Sequence, residues 1–207
     1  MTENVLFSTI IGSHVWNMNT AMSDTDIFEA YVASTEDILR GTANTKSKFI
    51  QQDGVDTAQH EIGKIVNQLL KGNLNFIVGV MSPIIEKNSM ELYQLRCIVE
   101  KTISKNCYGS IHGMAQHHFK KYIVSGKDTS ERRCNKILRV LKFGERILMG
   151  KGINFEKVER GTRGEIEKEM RVLNKAFFDS LLYDKPDEEP FRDWLYQVRL
   201  DEWKNKI

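Results

Sequence analysis

Residues 11–28, IGSHVWNMNTAMSDTDIF, hold the densest set of side chains able to do chemistry. Gly12-Ser13 follows an apolar, β-branched run. A glycine there lets the backbone approach a phosphate, and the following amides can point at it. Ser23-Asp24-Thr25-Asp26 then opens a second apolar run. Side chains alternate faces along a strand, so Asp24 and Asp26 are expected on the same side. Two carboxylates on one side of a rigid element form a hard oxygen site suited to Mg²⁺. A lone Asp-x-Asp is more often a solvated turn; strand, Gly-Ser, and then Ser-Asp-x-Asp at the head of another strand is far more specific. His14, directly behind Gly12-Ser13, is placed either to touch a nucleotide or to cap and pack. His112, His117 and His118 lack the i,i+4 spacing of a helical zinc pair. No Gly-x-Gly-x-x-Gly or Walker A occurs, which removes support for a Rossmann or P-loop reading.

The elements that must position these residues follow from periodicity. Short β-prone runs predict strands over 5–11 and 26–33. A third candidate covers 49–59, although Asp53-Gly54 inside it is a turn signal. From residue 61 the spacing becomes helical. Ile62, Ile65, Val66, Leu69 and Leu70 predict a helix over 61–71, stopped by Gly72-Asn73. Further helices are expected over 89–104, 111–124, 134–149, 165–183 and 191–205, the last packing Trp194 and Trp203 on the body. Strands first and helices after predict an α+β fold, with a catalytic core over 1–88 and a helical region over 89–207.

The chain has 207 residues, 41% of them hydrophobic and 28% charged, with a net charge of +2. That is enough apolar material for a normal core, and too slight an excess of positive charge to announce a nucleic-acid binder. A local basic stretch runs from Lys120 to Lys142. Cys97, Cys107 and Cys134 are odd in number and widely spaced, so neither a disulfide framework nor a zinc site is expected, and a reducing cytoplasm is the natural compartment. No run reaches the ~18 apolar residues of a membrane span. The first residues, MTENVLFSTIIGS, lack the pattern of a signal peptide.

Strand, Gly12-Ser13, then Asp24-x-Asp26 resembles the DNA-polymerase-β superfamily of nucleotidyltransferases. The stretch over 55–83, VDTAQHEIGKIVNQLLKGNLNFIVGVMSP, resembles the subfamily linked to RNA-repair pathways, through Asp56, Glu61, Lys64, Leu70, Lys71, Gly72, Asn73, Asn75, Ser82 and Pro83. The helix near 135–150 is similar to that subfamily's arginine-bearing helix, with Arg139 in the arginine's place. The chain departs from the pattern at Trp16-Asn17, where the family has Tyr-Gly, and at Leu74, where it has Pro. Val78-Gly79 stands where a carboxylate is common.

The resemblance implies a polymerase-β-like core that moves a nucleoside monophosphate from an NTP to an acceptor hydroxyl, releasing pyrophosphate. Asp24 and Asp26 would hold Mg²⁺ or Mn²⁺. Such chemistry needs a third carboxylate from a neighbouring strand; Asp56 is preferred, and Glu61, explicable as a helix-start acid, is the alternative. Gly12, Ser13, His14, Ser23, Lys136 and Arg139 are the expected nucleotide contacts, with Lys120 a rival to Lys136. The acceptor is RNA, tRNA, protein or a small molecule, and no membrane partner is expected. The competing reading is a non-catalytic nucleotide- or RNA-binding module on the same scaffold.

Overall fold

Residues 4–205 are described by the computed structural model. Runs rich in Val, Ile, Phe and Tyr form β1, Asn4–Ile10, and β2, Thr25–Val32, which pair antiparallel with Ile10 opposite Ile27. The expected strand over 49–59 is two strands. Asp53 and Gly54 take φ of 48° and 78°, as a two-residue hairpin turn requires. β3, Lys48–Gln52, therefore folds back antiparallel on β4, Val55–Glu61. β4 runs parallel to β2, and β5, Ile85–Lys87, adds to β1, giving the mixed order β3-β4-β2-β1-β5.

α1, Thr35–Arg40, begins where the Ser34 hydroxyl accepts the Asp37 N–H and ends at Gly41 with φ 71°. α2, Ile62–Leu70, buries the expected Ile62, Ile65, Val66 and Leu69. α3, Leu74–Met81, was not expected as a helix. Phe76, Ile77, Val78 and Val80 are all buried, so it has no polar face and no amphipathic period to read. α4, Met90–Thr102, α5, Cys107–His118, α6, Glu131–Leu148, α7, Arg163–Asp179, and α8, Glu189–Lys204, match the remaining helical expectations within a few residues. α5 runs on as a π-helical turn, Phe119–Val124. The fold is α+β, with a five-stranded mixed sheet and a helical C-terminal region.

The chain forms two compact units, one of Met1–Leu70, Asn75–Thr102 and Asp187–Ile207, the other of Lys71–Leu74 and Ile103–Pro186. The 88/89 boundary expected from the sequence falls inside the first unit, because α4 and α8 belong with the sheet. Trp194 of α8 donates its indole N–H to the Glu91 carbonyl at 3.1 Å, and Thr35 donates its N–H to Glu202 at 2.8 Å. In the second unit Gly144 lets α6 approach its neighbours: a Cβ there would lie 2.6 Å from Ile111 of α5 and 3.0 Å from Leu173 of α7. Among the described residues no helix is long and apolar enough to cross a membrane.

Candidate active site at the head of the sheet

β2 and β4 run side by side with Asp26 directly opposite Asp56. Neighbours in register point to the same face, so the two carboxylates stand together. Both line a cavity of about 450 Å³ with Ile11, Phe49, Gln51 and Ala58 among its walls. Asp56 carries a carboxylate oxygen that is buried and has no hydrogen-bond partner. An unsatisfied buried carboxylate oxygen is costly, and its persistence marks a place where something else supplies the partner.

Gly12 closes the other side of Asp26. It takes φ 67°, and a Cβ there would lie 1.8 Å from Asp26 Oδ2. The Ile11 N–H donates to the Asp26 carbonyl at 2.8 Å, which ties the end of β1 to the same residue. Glycine is required twice here, by the left-handed backbone and by the carboxylate beside it. A 3₁₀ turn, His14–Trp16, follows. Its first residue, His14, has a buried Nε2 with no hydrogen-bond partner. Asn17 ends the turn at φ 51°, and its N–H donates to the His14 carbonyl at 3.0 Å. That conformation explains how Trp16-Asn17 replaces Tyr-Gly. Asn is among the few residues other than Gly that tolerate the left-handed region, and Trp16 is buried as a large aromatic should be.

The remaining expected residues fall in different places. β2 begins at Thr25, so Asp24 precedes the strand and is exposed, and strand alternation alone does not set it beside Asp26. The Ser23 hydroxyl accepts the Thr20 N–H at 2.9 Å, shaping the turn ahead of β2. Glu61 is the last residue of β4 rather than the first of a helix, and it lies opposite Tyr31, five positions along from the Asp26–Asp56 pair. Its carboxylate is buried, ion-paired with Arg199, and accepts the Gly63 N–H at 2.7 Å. Lys136 and Arg139 lie on α6 in the second unit, where Arg139 joins His117, Arg133 and Lys121 around His118. Burial first, and then those charges, lower the His118 pKa. Val78-Gly79, the stretch without the carboxylate expected from the resemblance, lies in α3 and is packed tightly at Gly79. A Cβ there would sit 2.4 Å from the Phe28 ring, and the Gly79 carbonyl accepts the Thr9 hydroxyl at 2.6 Å. Ser82, also buried, donates to the Ile10 carbonyl. Ser82-Pro83 thereby holds the end of α3 to the end of β1, just ahead of Gly12.

A family model described as RlaP, RNA repair pathway DNA polymerase beta family, matches residues 1–183. The chain belongs to that family. No curated protein matches it. RlaP membership agrees with the α+β fold seen here and points to nucleotidyltransferase-type function.

Among the described residues no group of three or more His, Cys, Asp and Glu is gathered as a metal site. The donor set is a facing pair of carboxylates, one with an unpartnered buried oxygen. Mg²⁺ is commonly bound by one or two carboxylates together with substrate phosphates and water, so the pair fits. Sequence reasoning passed over Phe49, His60 and Phe76, which line an adjoining cavity. Their one signal was that Asp56, Ala58 and His60 alternate along one strand.

Proposed function

We propose that the chain transfers a nucleoside monophosphate from an NTP to an acceptor hydroxyl and releases pyrophosphate. The observation that carries this reading is the facing pair Asp26 and Asp56, backed by Gly12. Asp26 and Asp56 would hold Mg²⁺ or Mn²⁺, with Asp24, just ahead of β2, as a further ligand. When bound, the cation would neutralise charge on the triphosphate during transfer. The Gly12-Ser13 amides and the Ser13 hydroxyl grip the terminal phosphates, and His14 Nε2 offers a further hydrogen bond there. The acceptor oxygen forms a bond to the α-phosphorus. The bond from that phosphorus to the bridging oxygen breaks, pyrophosphate leaves with the electron pair, and Asp56 takes the hydroxyl proton.

The test is incubation with each NTP labelled at the α- or the γ-phosphate, with Mg²⁺ or Mn²⁺ and total RNA or lysate. Label is expected on a macromolecule or small acceptor from the α-position only. The double variant Asp24→Asn/Asp26→Asn should abolish it while the far-ultraviolet circular dichroism spectrum is kept. Wild-type transfer by that variant would refute the site. NTP binding without any transfer would favour a non-catalytic module.

A further inference from the structure

Beside the Asp26–Asp56 cavity lies a second one of about 550 Å³, and the two share Ile11, Phe49 and Ala58 as walls. Its apolar side is aromatic. His60 packs 4.9 Å from the Phe28 ring and 4.7 Å from Phe76, with Phe49 edge-on at 6.4 Å. Its polar side has Lys46, Lys64 and Ser47. Phe49 is 79% exposed although it sits beside three packed rings. An exposed phenyl on the sheet's edge strand buries little of its own fold and offers a face to something outside it. The His60 imidazole is held neutral, its pKa lowered to about 4 by burial and by Lys64, which suits stacking rather than charge pairing.

The sheet order says which reactant this cavity can serve. Gly12-Ser13 follows β1, Asp26 is on β2, Asp56 on β4 and Phe49 on the edge strand β3. The entering and leaving oxygens of phosphoryl transfer lie roughly in line, on opposite sides of the phosphorus. With pyrophosphate leaving on the Gly12 side, the acceptor enters from the Asp56–Phe49 side. An aromatic cluster with an exposed Phe49 ring, and lysines in the same lining, fits a base together with its phosphates.

We propose that this cavity binds the terminal nucleobase of a nucleic-acid acceptor, stacked on Phe49 against the His60–Phe76 wall, with Lys46 and Lys64 toward the backbone phosphates. The proposal rests on the nucleotidyl-transfer reading for the direction of attack, but its test does not need turnover. A mixed-sequence single-stranded RNA 10-mer with a 3′-hydroxyl is titrated by fluorescence anisotropy against the full chain, Phe49→Ala and Phe49→Trp. Phe49→Ala should weaken binding about ten-fold, and Phe49→Trp should restore it. A 10-mer lacking its 3′-terminal base should bind wild type and Phe49→Ala equally. Because Phe49 also borders the Asp26–Asp56 cavity, the affinity of Phe49→Ala for a non-hydrolysable NTP analogue with Mg²⁺ should fall less than its affinity for the RNA. Unchanged RNA affinity in Phe49→Ala, or no RNA binding by wild type, overturns the proposal and leaves protein or small-molecule acceptors. A loss confined to the NTP analogue also overturns it, and assigns the cavity to the incoming base. RNA binding through Phe49 in a chain that transfers nothing would sink the catalytic reading alone.

Discussion

At Gly12 a left-handed backbone meets the Asp26 carboxylate. Read from sequence, the reason for a glycine was room for a phosphate; the structure adds that the Asp26 carboxylate already occupies the place of a side chain. Gly12→Ala therefore has two effects. The left-handed φ of 67° costs roughly 1–2 kcal/mol for a residue with a Cβ, and Asp26 must move. Mg²⁺-dependent transfer should fall by more than 100-fold while the melting temperature drops by only several degrees. Retained turnover in a folded Gly12→Ala protein would mean that the position of Asp26 is unimportant. Asn17 teaches the complementary lesson. The sequence departs from Tyr-Gly there, and the backbone accounts for it: Asn17 takes the left-handed conformation that a glycine would supply.

Among the elements, α8 is the one that sequence order hides. It is far from the sheet along the chain, yet Arg199 reaches both the Ala33 carbonyl at 2.9 Å and the buried Glu61 carboxylate. Glu61 is the alternative third carboxylate in the sequence, where a helix start is explanation enough for an acid; only the fold shows an arginine arriving from 138 residues away. Removing one partner of a buried pair strands the other and costs about 3–5 kcal/mol. Glu61→Gln should thus lower stability by a few kcal/mol in urea titration and, below its transition, keep most of its turnover. If turnover collapses while stability is unchanged, Glu61 belongs to the chemistry. The hairpin of β3 and β4 was half legible: Asp53-Gly54 announced a turn, but the segment over 49–59 read as one strand. α3 was illegible by periodicity, since a helix buried on nearly every side has none. The two amphipathic helices, α2 and α6, were read within three residues at either end, because water on one face imposes the period.

Over the whole molecule, pH is a probe that needs no substrate. His60 has its folded pKa lowered from 6.5 to about 4, chiefly by burial and then by Lys64. The unfolded chain takes up this proton as pH falls through 6.5, and the folded chain does not until about pH 4. The stabilisation is thus complete above 6.5 and is lost between 6.5 and 4. A shift of that size corresponds to about 3 kcal/mol; with an open cavity beside the ring, on the order of 2 kcal/mol is expected. The wild-type melting temperature should decline over that window, and His60→Phe should flatten the decline. An unchanged pH profile in His60→Phe would show that the ring titrates as if exposed.

Spacing and resemblance made Asp24 and Asp26 the expected pair, with Asp56 preferred as the third carboxylate. That Asp26 faces Asp56 had no local signal, because the parallel register joins positions thirty residues apart. The most direct test of the account is therefore Asp56→Asn, measured for Mg²⁺-dependent transfer from an α-labelled NTP and for melting temperature in the same preparation. Amide for carboxylate removes a buried, unpartnered anionic oxygen, so the melting temperature should hold or rise. Transfer should fall by at least 1000-fold, the scale on which loss of a required charged group acts. Wild-type transfer by a folded Asp56→Asn protein would contradict the account.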